Sequence, residues 1–407
     1  MTTMLAETML ADVKVLDLSQ GVAGPFCTKL LADYGAEVLK VERPDGGDLA
    51  RSLGPVPHDI PHPERSGTFL YLNTNKRSMT LNLKSATGRG VLLDLAEEAD
   101  ILIESFRPGV MERLGLSYED IRARNPRIVM TSISNFGRSG PYRDYQMTEL
   151  VAYAMGVAMH CTGVPDREPL KMAATATLIQ AGNIAAMATI GTYLGVQHNG
   201  VGQFVEYSIL EGQASTIDRN GPSLVGMAYS GDPPFQRTFM RRVTIAPFGA
   251  FPCADGYAHF TSAQQAWFPR FCEIMGMPEL AEDPRFKGES FNNLDLAPDF
   301  DEYFVPWLLS QTKNDVMEKC AEIAGSPVNT MEDVFQDRHL RERGFFVSVD
   351  HPVAGTMEYP GAFFRPSRTP WRAGRAPLMG EHTEEVICDK LGYARVDLVR
   401  MAQAGIV

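Results

Sequence analysis

The first 135 residues alternate short apolar runs with amphipathic stretches, and this alternation constrains the fold more than any other feature of the chain. Strand–helix–strand order with short connections is typical of a parallel sheet wound with helices. The sequence therefore predicts an α/β fold for this region. The predicted strands are residues 13–18, 36–41, 79–83, 101–104 and 128–133, followed by a further strand at 204–208.

A second region has a different character. The chain has 407 residues, which indicates two domains or one domain that carries a large insertion. Residues 226–334 are richer in aromatic side chains and less regular than what precedes them, with a predicted hairpin turn at Asp255-Gly256 and helices after it. This pattern predicts a smaller α+β domain.

Composition limits the partners. The formal net charge of −12 argues against a nucleic-acid partner, since binding phosphates along a backbone requires a surplus of basic surface. No apolar run reaches the ~18 residues of a membrane span. The six cysteines are scattered and the start of the chain has no basic segment followed by an apolar core, so we expect a cytoplasmic protein with reduced thiols. The eight histidines form no HxxxH or HExxH pattern, so no metal site is expected.

The familiar cofactor and nucleophile motifs are missing. A Gly21-x-x-Gly24-Pro25 turn follows the first predicted strand, but the dinucleotide fingerprint needs three glycines, and Pro25 offers no backbone amide. No G-x-S-x-G nucleophile elbow occurs.

Basic residues recur where predicted strands begin or end. On an acidic chain they indicate either an anionic ligand with several phosphates or simply solvated surface cations, and spacing alone leaves both open. These residues are Arg43, Lys76, Arg77, Lys84, Arg107 and Arg113.

Six segments in order together resemble the class III coenzyme A transferase family, which includes formyl-CoA transferase, carnitine CoA-transferase and 2-methylacyl-CoA racemase. They run in family order, and the resemblance extends from residue 12 to the C-terminus, so it covers nearly the whole chain. The segments are LDL with AGP at residues 16–25, LADYGAEVLKVE at 31–42, NKRS at 75–78, ESFRPG at 104–109, GVGQFVE at 200–206 and APLMGEHT at 376–383.

The resemblance implies a large domain of residues 1–225, a small domain of 226–334, and a return segment of 335–407 that completes the large one. It also implies a dimer of two interlocked rings. A coenzyme A thioester would be the substrate, with no tightly bound cofactor. The coenzyme-binding positions implied by the resemblance are Val22, Ala23, Arg43, Leu81, Lys84, Ser105, Phe106 and Arg113.

The chain departs from the family at one position. Transferases of the family carry an aspartate four residues before a glycine, and this carboxylate attacks the donor thioester to form a mixed anhydride. Counting back from Gly182 gives Leu178, and the spacing from Pro169 matches the family without a gap. Leucine can neither accept an acyl group nor carry a proton, so the chain is expected to be catalytically silent.

Three functional hypotheses remain. The leading one is the nucleophile-free subunit of a heteromeric transferase, similar to benzylsuccinate CoA-transferase, in which a related subunit carries the aspartate. The complex would move coenzyme A from a donor such as succinyl-CoA to a carboxylic acid. The second is an active homodimeric transferase or isomerase with a substitute residue such as Glu149, since Thr177 lacks an identifiable base. The third is a non-catalytic protein that binds coenzyme A or has a regulatory role.

Overall fold

In the computed structural model, residues 8–216, 220–231, 244–261 and 264–407 are described. The chain divides into two compact units. The first spans Met1–Thr162, Pro169–Gln236 and Gly344–Val407, and the second spans Gly163–Glu168 and Arg237–Arg343. The domain boundaries expected from the sequence stay a prediction, because compactness alone does not establish an independently folding domain.

The first unit is built on a parallel sheet of six strands, in the order β3-β2-β1-β4-β5-β6. The α/β fold class predicted from the sequence is confirmed. The strands are β1 (Lys14–Asp17), β2 (Glu37–Glu42), β3 (Arg77–Thr80), β4 (Ile101–Glu104), β5 (Val129–Ser134) and β6 (Gln203–Ser208). The helices are α1 (Ala23–Asp33), α2 (Gly67–Leu72), α3 (Ala86–Glu97), α4 (Val110–Leu114), α5 (Tyr118–Arg122), α6 (Glu149–Met155), α7 (Ala176–Asn199), α8 (Ile209–Thr216) and α9 (Asn220–Ser230).

Helices cover both faces of this sheet. Alternate residues of a strand point to opposite faces, so Leu16 and Leu102 join one apolar cluster while Val15 and Ile103 join the other. Helices α3 and α5 pack on the first face, and α1 and α7 pack on the second. Burial on both faces explains the apolar run of a central strand such as β4, where Ile101, Leu102 and Ile103 are all buried.

Helices α1 and α7 approach each other closely because α7 presents small residues. A Cβ atom at Gly182 would lie 2.6 Å from the carbonyl oxygen of Ala23 and 3.0 Å from Cβ of Phe26. Ala181 and Ala185 on the same helix are fully buried. The Ala- and Gly-rich composition of this segment therefore serves close helix packing.

Strand β3 ends at Thr80, whereas the sequence predicted a strand as far as residue 83. At this end of β3 the amide of Leu81 still donates to the carbonyl oxygen of Glu42 on β2 at 2.8 Å, while the amides on either side of it bond to the return segment. The amide of Thr80 donates to Oγ1 of Thr383 at 3.1 Å, and the amide of Asn82 donates to the carbonyl oxygen of Ile406 at 2.7 Å. The return segment thus covers the exposed edge of the sheet, which would otherwise be open to pairing with another chain.

The second unit has a small antiparallel sheet in the order β7-β8-β9 and a core of aromatic side chains. Phe260, Phe271 and Phe304 are fully buried and their ring centroids lie 5.3–5.7 Å apart. The predicted hairpin is present. The strands are β7 (Phe248–Cys253), β8 (Gly256–Thr261) and β9 (Gly325–Pro327), and the helices are α10 (Phe268–Ile274), α11 (Ala297–Leu309), α12 (Lys313–Cys320), α13 (Met331–Gln336) and α14 (Arg338–Glu342).

After the second unit the chain returns to the first. It forms an antiparallel hairpin of β10 (Phe346–His351) and β11 (Gly355–Pro360), a π-helical turn at Glu385–Lys390, and helix α15 (Arg395–Gln403). Val386, Ile387 and Met401 join the apolar cluster on the face of the sheet that α3 covers. None of the described helices is both long and apolar enough to cross a bilayer.

Candidate functional site

A cleft of about 410 Å³ opens at the carboxyl edge of the parallel sheet, the edge where ligands of open α/β sheets bind. Segments that follow β2, β3 and β4 form its walls. Val110 and Leu114 of α4 contribute apolar side chains to the lining. The volume and the mixture of apolar walls with a few cations are typical of a small-molecule site.

The structure brings part of the predicted coenzyme-binding set together in this cleft. The predicted residues that line it are Arg43, Leu81, Lys84 and Phe106. Ser105 directly precedes Phe106, and Arg113 lies on α4 beside Leu114. Val22 and Ala23 are buried at the start of α1 and are not part of the cleft lining.

Two cations at the cleft are available to a ligand. Arg43 and Lys84 are exposed, and within the described part of the chain neither side chain forms an ion pair with a carboxylate. The Nε and Nη2 atoms of Arg43 lie 3.4 and 3.3 Å from the carbonyl oxygen of Gly47, at the long end of the hydrogen-bond range. Both cations can therefore meet an anionic ligand without breaking a strong bond.

Two other cations of the predicted series have structural roles. Lys76 is almost fully buried, and its Nζ atom lies 3.1 Å from Oδ2 of Asp17. Arg77 pairs with Glu37 at 3.0 Å and with Glu385 at 2.7 Å. The positive charges of Lys76 and Arg77 are therefore balanced by carboxylates of the protein and not by an anionic ligand.

Lys76 belongs to a buried ionic network beneath the loop that follows β1. Lys40 lies 2.6 Å from Oδ2 of Asp48 and 3.7 Å from Oδ2 of Asp17. Burial alone would raise the pKa of Asp17, but the charges of Lys40 and Lys76 hold it well below its usual value. Burial lowers the pKa of Lys76 to about 8, against the opposing attraction of Asp17. Removing one partner of such a network leaves an uncompensated buried charge, which costs about 3–5 kcal/mol.

This network fixes the backbone of residues 19–21. Nζ of Lys40 donates to the carbonyl oxygen of Ser19 at 2.9 Å, and the amide of Gly21 donates to Oδ1 of Asp48 at 2.8 Å. The amide of the intervening Gln20 donates to Oγ of Ser105 at 3.0 Å. Ser105 thereby ties the segment after β4 to the segment after β1. Because hydrogen bonds hold three consecutive residues, the backbone of this loop is fixed before any ligand binds.

The first turn of α7 is capped by a side chain from another helix. Glu149 accepts hydrogen bonds from the amide of Thr177 at 2.9 Å and from the amide of Leu178 at 3.0 Å, one on each carboxylate oxygen. Nζ of Lys171 lies 3.5 Å from the same carboxylate. A negative charge at a helix N-terminus satisfies free amides and is favoured by the helix dipole. Glu149 therefore acts here as the cap of α7.

Leu178 lies in this first turn, and its side chain is in an apolar environment. It packs against the cluster of Val22, Phe26 and Leu72, and also against the main cluster under α7. Thr177 beside it is buried, and within the described residues its hydroxyl has no hydrogen-bond partner. Leucine has no nucleophilic atom, and among the described residues no base is hydrogen-bonded to the Thr177 hydroxyl to activate it.

Comparison with known proteins identifies the family. The profile of CoA-transferase family III matches residues 10–383. The chain belongs to this family. The succinyl-CoA–D-citramalate CoA-transferase of Chloroflexus aurantiacus is 32% identical over 398 residues, with 96% of each chain covered. The beta subunit of the succinyl-CoA–L-malate CoA-transferase of the same organism is 33% identical, with 94% of each chain covered.

The fold has a solved counterpart within the family. The crystal structure of a CAIB/BAIF family protein from Brucella suis superimposes with a TM-score of 0.83 at 28% identity, covering 94% of this chain and 99% of the other. The order of elements described above is thus the architecture of a class III CoA-transferase.

One ionisable residue of this class III chain was missed from the sequence. Glu104 ends β4 and is almost fully buried, and its carboxylate accepts a hydrogen bond from the amide of Phe106 at 2.7 Å. Burial raises the pKa of Glu104 to about 7, although hydrogen bonds from Ser132 and Phe106 oppose the shift. The feature of the sequence that could have identified Glu104 is a carboxylate at the end of an apolar strand. Among the described residues, no three His, Cys, Asp or Glu side chains cluster as metal ligands.

Proposed function

We propose that this chain is the nucleophile-free subunit of a heteromeric class III CoA-transferase. It binds a coenzyme A thioester, while a related subunit supplies the aspartate that accepts the acyl group. The complex moves coenzyme A from a donor such as succinyl-CoA to a carboxylic acid. The observation that carries this proposal is the position of Leu178, which occupies the first turn of α7 with its side chain among Val22, Phe26 and Leu72.

Glu149 is a poor substitute for the absent aspartate. Both of its oxygens accept backbone amides, and its side chain is only 13% exposed. To attack a thioester, the carboxylate would have to give up hydrogen bonds to a charged group that are worth about 1.5–3 kcal/mol each. It would also uncap α7. The geometry favours a supporting role for Glu149 and leaves the chain without an acyl acceptor at this position.

The proposed coenzyme site is the cleft and the loops beside it. Arg43, Lys84 and Arg113 would pair with phosphates, and Phe106 and Leu81 would contact the apolar parts of the ligand. Val22, Ala23 and Ser105 belong to the ordered loops that converge on α1. A succinyl-CoA donor is supported by the names of the relatives, two of which are succinyl-CoA transferases.

Assembly with a second chain is supported by exposed apolar side chains on the helices of the first unit. Val225 and Tyr229 of α9 are 62% and 82% exposed, and Met187 of α7 is 71% exposed. Large apolar side chains exposed on neighbouring turns are typical of a subunit interface. One relative is itself named as a beta subunit. We propose an interlocked pair with residues 226–334 as the small domain of each ring, which would bury more than the ~1,600 Å² of a standard interface.

Co-expression with an aspartate-bearing family member tests the proposal. The mixed assembly should transfer coenzyme A, and replacing the partner's aspartate should abolish the activity. Leu178→Asp in this chain should not be required for turnover, with Leu178→Asn as the matched polar control that cannot accept an acyl group. If only homodimers form in the presence of the partner, the heteromer proposal fails. Coenzyme A binding by that homodimer without turnover would favour a non-catalytic binding protein.

A further inference from the structure

Two arginines face the same point at the carboxyl edge of the sheet. Gly109, which precedes α4, has φ of +83°, and a Cβ atom there would lie 3.2 Å from Nη1 of Arg113 and 3.3 Å from Nη2 of Arg143. Arg143 belongs to the loop that follows β5. Both guanidinium groups therefore lie next to Gly109, each within van der Waals contact of the same point. Like charges this close repel unless an anion lies near both.

The neighbouring polar groups are engaged elsewhere. Glu112, beside Arg113 on α4, pairs with Arg138. Gln146 accepts a hydrogen bond from Arg107 at 2.7 Å. Within the described residues neither Arg113 nor Arg143 forms an ion pair with a carboxylate, and the buried Nε atom of Arg143 has no hydrogen-bond partner. A buried donor without an acceptor costs about 1–3 kcal/mol, more for a charged group.

The geometry points to Arg143 as a phosphate-binding residue that acts together with Arg113. A phosphate offers several oxygens to two guanidinium forks at once, and Arg recognises it with bidentate hydrogen bonds. Such a ligand removes the repulsion and provides an acceptor for Nε of Arg143. Gly109 leaves the space between the two side chains open, because any larger residue would lie against both. We call Arg113 and Arg143 the arginine pair.

The phosphate belongs to coenzyme A, and this assignment rests on the coenzyme binding proposed above. Helix α4 places Val110 and Leu114 in the cleft lining, and Arg113 lies on the same helix. A coenzyme seated in the cleft therefore has phosphate groups within reach of α4. Both the diphosphate and the 3′-phosphate offer the required chemistry. The sequence did not single out Arg143, since it lies in a loop and belongs to none of the segments that resemble the family.

Calorimetric titration of the wild type and of Arg143→Gln with coenzyme A, dephospho-coenzyme A and inorganic pyrophosphate tests the assignment. Arg143→Gln should weaken coenzyme A binding about 10- to 100-fold, the range for a lost hydrogen bond to a charged group. Arg143→Lys, which keeps the charge but not the fork, should restore part of the affinity. An equal loss for dephospho-coenzyme A assigns the diphosphate, and a loss seen only with coenzyme A assigns the 3′-phosphate.

Arg395→Gln is the control, because it removes the same charge from an exposed arginine that pairs with Glu384 on the surface. It should bind coenzyme A as the wild type does. Unchanged affinity in Arg143→Gln overturns the assignment, and so does a variant that binds coenzyme A normally but associates more weakly with its partner chain. If pyrophosphate binding depends on Arg143 while the wild type binds no coenzyme A, phosphate binding by the arginine pair is confirmed and the proposed function is wrong. If the wild type binds none of the three ligands, both are wrong.

Discussion

Neutralising Glu149 should destabilise the start of α7. Glu149→Gln keeps the size of the side chain but turns one of its two acceptors into a donor that faces a backbone amide. The structure shows one amide on each oxygen, from Thr177 at 2.9 Å and Leu178 at 3.0 Å. One lost hydrogen bond to a charged group costs about 1.5–3 kcal/mol, and the lost charge at the helix N-terminus costs a further 0.3–1 kcal/mol or so. We expect the free energy of unfolding to fall by about 2–4 kcal/mol.

Urea unfolding combined with hydrogen–deuterium exchange at the first turn of α7 measures this effect. Exchange of the amides of Thr177 and Leu178 should accelerate first, because they lose their acceptors. Glu168→Gln removes the same charge from an exposed side chain and should change stability by less than about 0.5 kcal/mol. A Glu149→Gln protein of unchanged stability whose turnover is abolished would refute the reasoning, since Glu149 would then act as a substitute nucleophile.

Three further changes test other parts of the molecule. Arg43→Ala and Arg113→Ala should each weaken coenzyme A binding by roughly 1.5–3 kcal/mol in calorimetry; no binding by the wild type at millimolar ligand would contradict the coenzyme site. Gly182→Ala should destabilise the protein by about 1–3 kcal/mol, because the added methyl would lie 2.6 Å from the carbonyl oxygen of Ala23. On the same helix, the methyl of Gly191→Ala meets open space, so this control should stabilise the protein by about 0.4–1 kcal/mol. Burial raises the pKa of Glu104 from 4.5 to about 7, so the folded state binds the proton of this carboxyl more tightly than the unfolded state does. The free energy of unfolding should therefore fall as the pH rises from about 4.5 to 7. In urea unfolding, Glu104→Gln should flatten that decline.

The sheet could be predicted from the sequence because short apolar runs such as Ile101-Leu102-Ile103 alternate with amphipathic helices. The strand order could not, since nothing local in the chain states which strands pair. The end of β3 was missed for the same reason. The sequence around Asn82 fits a strand, but in the structure its amide donates to the carbonyl oxygen of Ile406, more than 300 residues away.

The candidate site was predicted in part. Arg43 and Lys84 follow predicted strands and are among the positions that the family resemblance implies, and both line the cleft. Lys76 is also a cation beside a strand, but it precedes β3 and is buried against Asp17. Burial of a charge depends on a partner from another strand, which spacing does not reveal. Arg143 became visible only through its position beside Arg113 and Gly109.

The identity of the acyl acceptor is the central question for this chain, and one measurement addresses it directly. The reconstituted assembly is incubated with succinyl-CoA, trapped with hydroxylamine, and each subunit is weighed by intact-protein mass spectrometry. The account predicts a hydroxamate on the aspartate-bearing partner and none on this chain, because Leu178 cannot accept an acyl group. A hydroxamate on this chain, mapped to Glu149 and lost in Glu149→Gln, would contradict the account.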